Sequence, residues 1–507
     1  MKKHYLFTVF CILFAGFLPE ITSQEPVTPN ASVEAKALLR FIYSLSGRYT
    51  LTGQHNYPDT KDRNSQFAAE YSGQTPAVWS TDMGFAEEGN TDSYLARPDI
   101  VQEAIRQHKK GSIITICWHS VPPTADEPVT FRPRGPVAPD SLVTIQGQLL
   151  DAQFRDVLTP GTRLHKRWMA QVDSVAYYLK KLEKAKVPVL WRPYHEMNGD
   201  WFWWGGRVGE NSTIDLYQQL FDRYVNHHKL SNLVWVWNVD RPSTPIRKFS
   251  NFYPGNEYLD ILSLDVYGSD FNQDYYDSLK VLSKGKPLLF GEVGNPPFPE
   301  ILDAQPDWTL WVIWAGMARN VSKKQYQILY SDPRIITRDD PAYWKVTAPY
   351  REACSLPAIP LANKYPADFS GNWLFNEEKS DLGNSGTGMV SYRLKVIQDE
   401  ETLFVKKFNI VEWGDDRIVD EEINLDGVEM RSEFRNSPRI SKTGWNEGSG
   451  SMKIDSKVTF TREGNSFDME SREQWSLSGE GSELKIHQKS TGFRGNRIDV
   501  TLVYDKQ

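Results

Sequence analysis

Between residues 49 and 316 one phrase recurs eight times: a short apolar, β-branched run ending in polar or aromatic residues, followed by a longer stretch that in most cases is long enough for a helix. The runs are YTLTGQH (49–55), PAVWSTDMG (76–84), SIITICWHS (112–120), VPVLWRPYHE (187–196), NLVWVWNVD (232–240), YLDILSLDVYG (258–268), KPLLFGEVG (286–294) and DWTLWVIWAG (307–316). Near-continuous apolar runs suit strands buried on both faces. The amphipathic stretches RLHKRWMAQVDSVAYYLKKLEKAK (163–186) and STIDLYQQLFDRYVNHHKL (212–230) supply helices to cover them. Eight alternations over roughly 270 residues fit a (β/α)8 TIM barrel better than an open doubly wound sheet, although the helices after the fifth and seventh runs read as short. In such a barrel reactive side chains belong at the C-terminal ends of the strands.

The remainder of the chain has a different texture. SLPAIPLANKYP (355–366) carries three prolines in twelve residues and reads as the core of a linker. Beyond it, segments such as TLFVKKFNIVEW, SMKIDSKVTFTRE and RIDVTLVYD alternate polar with apolar residues between Gly, Asn and Asp turns. That pattern predicts an antiparallel meander, a small up-and-down barrel or a sandwich. Its opening Gly371-Asn372-Trp373 resembles the first strand of lipocalin-like barrels. The expected organisation is an export signal over 1–23, the barrel over 32–352, a linker over 353–366 and an all-β domain over 367–507.

The signal rests on Lys2 and Lys3, the apolar run 5–18 and small residues near Ser23; it predicts a protein exported to the periplasm or secreted. Removing it leaves Cys117 and Cys354, too few for a disulfide scaffold or a cysteine-held metal. The strand pattern around Cys117 favours a buried free thiol over a bridge. Against 58 basic residues stand 65 acidic ones, which argues against nucleic acid or an anionic membrane as partner and is compatible with a neutral ligand.

Six aromatic residues and a His-Glu pair crowd into WRPYHEMNGDWFWWGGR (191–207). A zinc-protease reading needs a second His four residues after His195, and Gly199 occupies that place, so no metal is expected. The strand pattern gives a better reading. Glu196 ends the fourth run and Glu292 occupies the equivalent place in the seventh, which puts two carboxylates across one barrel mouth, the requirement of glycoside cleavage. Trp201, Trp203 and Trp204 follow polar residues beyond the strand and are expected to line the cleft, since rigid indoles suit the apolar faces of sugars. The stretch 121–162, with seven prolines and no clear period, is expected to form a cleft wall.

WRPYHEMNGDWFWWGG, with LTPGTRLHKRWMAQVD upstream and GQH, CWHS, DVYG, FGEVG and WVIWAG in barrel order, resembles glycoside hydrolase family 26, whose best-known members are β-mannanases. The resemblance covers about residues 35–350. It implies hydrolysis of β-1,4-linked mannan, glucomannan or galactomannan without a cofactor, with family activities on mixed-linkage β-glucan or β-1,3-xylan as alternatives, and a non-catalytic polysaccharide-binding barrel as the alternative from another class. It also implies that Glu196 is the acid/base and Glu292 the nucleophile of a retaining double displacement. His119, His195, Trp201, Tyr267 and Trp314 then match sugar-contacting positions, and Trp118 and Arg192 are counted with them. These roles require burial to raise the pKa of Glu196 while Tyr267 and Arg192 support a carboxylate at Glu292. The role of the all-β domain stays open between binding carbohydrate, docking a protein and capping the barrel.

Overall fold

The computed structural model describes residues 24–507 except 88–89, 91–92, 134, 136–139, 359–364, 384–385, 387–389, 399–401, 412–415, 435–436, 447, 463–464 and 492–496. The expected export signal over 1–23 and the middle of the expected linker lie outside the described residues. The chain divides into two compact units, residues 1–360 and 361–507.

In the first unit eight parallel strands close into a (β/α)8 barrel: β1 (Thr50–Leu51 and Gly53–Asn56), β2 (Val78–Asp82), β3 (Ile113–Trp118), β4 (Val189–Pro193), β5 (Leu233–Asp240), β6 (Ile261–Val266), β7 (Leu288–Val293) and β8 (Trp308–Ile313). Closure comes from β8, which pairs with β1 through Leu51↔Leu310 and Gln54↔Ile313 and with β7 through Leu288↔Trp308. A two-residue strand, β9 (Ile335–Ile336), extends the pairing of Thr50–Leu51.

Strand periodicity sorts the side chains. Val78, Ile113, Leu190, Val234, Val236, Ile261, Leu289, Leu310 and Val312 share an apolar cluster with helices α1 (Val33–Leu45) and α10 (Pro341–Ala353), which plug the N-terminal end of the barrel. Two residues further along each strand the same face turns polar: Ser80, Thr115, Asn238 and Ser263; then come Asp82, Cys117, Arg192 and Asp265, joined by Glu292 through a register shift in β7. The opposite face, including Trp79, Trp118, Trp191, Trp235 and Trp237, packs into the outer layer with the surrounding helices. Helix α5 (Arg163–Lys184) presents Trp168, Val172, Val175, Ala176, Leu179 and Leu182 to that layer, and the Thr162 side chain caps it by accepting from His165 N. Short 3-10 turns replace a helix after β5, and α8 (Pro299–Ala304) after β7 has only six residues.

Near the end of the proline-rich stretch 121–162 a helix forms that the sequence did not announce, α4 (Asp151–Leu158). Upstream of it, Gly147 N donates to Trp201 O and the Gln148 amide donates to the carbonyls of Asp200 and Phe202, so this stretch packs on the aromatic loop. Cys117 and Cys354 are buried free thiols. Among the described residues no helix is long and apolar enough to cross a membrane.

The second unit is one antiparallel sheet of ten strands: β10 (Gly371–Phe375), β11 (Arg393–Gln398), β12 (Thr402–Asn409), β13 (Arg417–Asn424), β14 (Met430–Phe434), β15 (Ser437–Asn446), β16 (Ser451–Arg462), β17 (Asn465–Ser478), β18 (Glu483–Thr491) and β19 (Arg497–Lys506). The order β13-β12-β11-β10-β19-β18-β17-β16-β15-β14 is an up-and-down meander in which first and last strands pair. Its free ends are drawn together by side chains: Thr443 Oγ1 and Trp445 Nε1 donate to the carbonyls of Asn424 and Leu425, and Arg439 pairs with Glu421 at 3.0 Å. Burial works against the charge of Glu421, yet Lys407 and Arg439 outweigh it and bring the carboxyl to about 2. Trp373, Trp475, Leu484 and Tyr504 anchor the apolar remainder of the interior.

Candidate active site

β4 ends earlier than its apolar run. Pro193 has no N–H for the ladder, and Tyr194 and Glu196 adopt left-handed φ values of 49° and 51°. This double turn swings Glu196 back over the barrel mouth, where only 8% of it is exposed. Glu292 lies within β7, where a register shift against β6 between Phe290 and Glu292 puts its side chain inward next to Gly291. One oxygen each from Glu196, Asp265 and Glu292 lie within 4.8 Å of one another.

The two glutamates have different surroundings. Glu292 accepts from Arg192 Nη2 at 2.7 Å and from Tyr267 OH at 2.6 Å, with His195 Nε2 at 3.6 Å. Arg192 also donates to Asp265 at 3.0 Å, so one buried guanidinium serves both acids. Burial opposes its charge, but Asp265 and Glu292 hold it protonated. Glu196 receives one side-chain bond, from Trp201 Nε1 at 2.6 Å. Burial, then the charges of Glu292, Asp265 and Asp240, push its carboxyl well above the usual range, against which the Trp201 bond works.

Three histidines surround the pair. His119 Nδ1 lies 2.6 Å from Asp82 Oδ2, and Asp82 also accepts from the His119 and Gly84 backbone N–H groups and from the Cys117 thiol. Burial alone would raise the Asp82 carboxyl, but His119 and these donors bring it below its ordinary value. The acidic trio and the cluster of Asp82, Cys117 and His119 each have a metal-like donor set. Arg192 answers the charge of the first, and the internal hydrogen bonds of the second account for it. His195 stands edge-on to His119 at 4.3 Å, and burial, followed by the charges of His119, Arg192 and His55, holds it neutral. His55 accepts or donates at Ser80 and stacks on Trp314 at 3.8 Å. Among the described residues the buried His195 Nδ1 and His55 Nε2 have no hydrogen-bond partner.

Trp201 is the partly buried aromatic of its loop, lying between Gly199 and the Arg247 guanidinium, which is 5.5 Å from the ring centroid. A Cβ on Gly199 would come within 2.3 Å of the indole, so glycine is required there. The expectation that Trp203 and Trp204 line the cleft is wrong. Both are fully buried scaffold residues whose indole N–H groups donate to Ser120 O and His195 O. Trp118 is likewise not on the cleft: Cys117 takes the inward position, so the next side chain faces outward against Trp191 and Tyr194. Glu196, Glu292, His119, His195, Trp201, Tyr267, Trp314 and Arg192 converge on the C-terminal mouth. Sequence reasoning missed Asp82, Asn238 and Asp265, although each is a polar residue at or near the C-terminal end of its strand.

The sequence model described as Glycosyl hydrolase family 26 matches residues 27–340. A mannan endo-1,4-β-mannosidase of Thermothelomyces thermophilus is 31% identical over 329 residues, 62% of this chain and 63% of that protein; the chain thus spans a little under two thirds of that relative's length. A mannan endo-1,4-β-mannosidase of Bacillus subtilis is 29% identical over 61% of this chain and 84% of its own. Among solved structures, GH26A from Muricauda sp. MAR_2010_75 is 43% identical, with a TM-score of 0.56 over 62% of this chain and 98% of that chain.

Proposed function

Because the chain belongs to glycosyl hydrolase family 26, we propose that it hydrolyses β-1,4-mannosidic linkages in mannan, glucomannan or galactomannan, the activity for which its relatives are named. The observation that carries this reading is the pair of carboxylates within 4.8 Å in opposite environments. Separations of ~5–5.5 Å between carboxyl groups suit a retaining double displacement, whereas inversion needs ~6.5–9.5 Å to admit water. Glu196, kept protonated by burial and neighbouring charge, donates to the departing glycosidic oxygen. Glu292, aimed by Arg192 and Tyr267, attacks the anomeric carbon. Glu196, now ionised, then takes a proton from the water that releases the sugar. Trp201 and Trp314 supply aromatic surface beside the pair, and the imidazoles of His119 and His195 suit a ligand rich in hydroxyls.

Reducing-sugar release from galactomannan, glucomannan, lichenan and xylan tests the substrate. Release from the mannans is expected; release from lichenan or xylan alone would sink this reading. We also propose export, from the basic and apolar start of the chain; amino-terminal sequencing of the exported protein, with a start near Gln24, checks it.

The pH profile follows from the same geometry. An acid must be protonated, so activity falls as pH rises through the elevated pKa of Glu196. The Trp201 N–H bond favours the ionised form. Trp201→Phe, which removes it, is expected to move the alkaline limb of kcat/KM to higher pH. A limb that stays in place or moves down would show that the indole does not act on Glu196.

A further inference from the structure

We infer that Asn238 is a positioning residue that holds Glu196 in its reactive place and couples it to the carboxylate of Glu292. It sits on the inward face of β5, 1% exposed. Its Oδ1 accepts from the Glu196 backbone N–H at 2.7 Å, and its own carbonyl accepts from Met197 N at 3.4 Å. Its Nδ2 donates to Ser263 Oγ and to Asp265 Oδ1, both at 2.7 Å. The Glu196 backbone N–H fixes the orientation of the amide, since it only donates and must therefore meet the Asn238 oxygen. From Asp265 the chain of bonds runs through Arg192 to Glu292 at 3.0 and 2.7 Å.

The contact falls where the backbone needs it. Glu196 has a φ of 51°, a left-handed conformation that strains a residue with a Cβ. Asn238 binds the N–H of that residue and the next one, so the strained turn is held from β5. The other carboxylate leans on the same cluster. A Cβ on Gly291, the residue before Glu292, would come within 2.7 Å of Ser263 Oγ, Asn238 Nδ2 and Asp265 Oδ1. Glycine there lets β7 lie against the network. Satisfying a buried amide would explain any set of partners; it does not explain why they are the backbone of one reacting glutamate and the support of the other.

This inference rests on the roles proposed for Glu196 and Glu292, and the test separates the two. Measure kcat/KM for mannan and for dinitrophenyl β-mannoside, whose leaving group needs no acid, in the wild type, Glu196→Ala, Asn238→Ala and Asn238→Asp, with thermal unfolding of each. Misplacing a reacting group by about 1 Å costs ~100-fold, so Asn238→Ala is expected to lose ~100-fold on mannan and less than about tenfold on the aryl glycoside. Asn238→Asp keeps the acceptor for Glu196 N–H and, when protonated, a donor for Asp265. Its mannan activity is therefore expected to recover toward the acid end of the pH profile. If Glu196→Ala spares the aryl glycoside but Asn238→Ala loses both substrates equally, or neither, Asn238 has no positioning role. If Glu196→Ala does not spare it, the acid/base assignment fails and this inference falls with it.

Discussion

Glu292→Ala is expected to lower mannan hydrolysis by ~10⁴-fold or more, a loss of ~5 kcal/mol in transition-state stabilisation. Among the described residues no other group of the mouth is placed to replace it. Asp265 is engaged by Arg192 and Asn238, and Glu196 approaches from the acid side. The fold should survive the change, because Arg192 keeps Asp265 and the apolar clusters are untouched. Reducing-sugar release and thermal unfolding measured together check this. Activity within tenfold of the wild type, from a folded variant, would place the nucleophile elsewhere.

Glu196→Ala is expected to lose the ~10²–10⁴-fold contributed by general acid catalysis on mannan, and to react with a dinitrophenyl glycoside at nearly the wild-type kcat/KM. The difference arises because dinitrophenolate departs without a proton. The following step still needs a base, so kcat on the aryl substrate should fall while a burst of phenolate appears. Equal losses on both substrates would count against the assignment.

Much of the barrel was legible because burial on both faces leaves a continuous apolar run, and such runs survive loop variation. The residues that complete the site were harder to see for local reasons. The left-handed turn at Tyr194 and Glu196 uses neither glycine nor asparagine, so the run appeared to continue three residues past Pro193. Trp203 and Trp204 follow polar residues in sequence but fold back under them, where their N–H groups find carbonyls. Trp118 shares a motif with His119, yet strand alternation sends it to the other side of the sheet. Asp82 and Asp265 carried a signal in retrospect, each lying two places after a serine on the inward face of a strand, and Asn238 carried another as the first polar residue after LVWVW. In the second unit β13 (RIVDEEIN) and β15 (SPRISKTGWN) lacked apolar alternation because their inward positions hold Glu421, Arg439, Ser441 and Thr443. A polar interior erases the period on which a strand is recognised.

The central claim is that Glu292 becomes bonded to the sugar. Incubating Glu196→Ala with dinitrophenyl β-mannoside should trap that species, since release needs the missing base. Peptide mass mapping of the product is predicted to find one hexose on the peptide containing Glu292, removed by added azide. A hexose on another residue, or steady turnover with no adduct at all, would contradict the account.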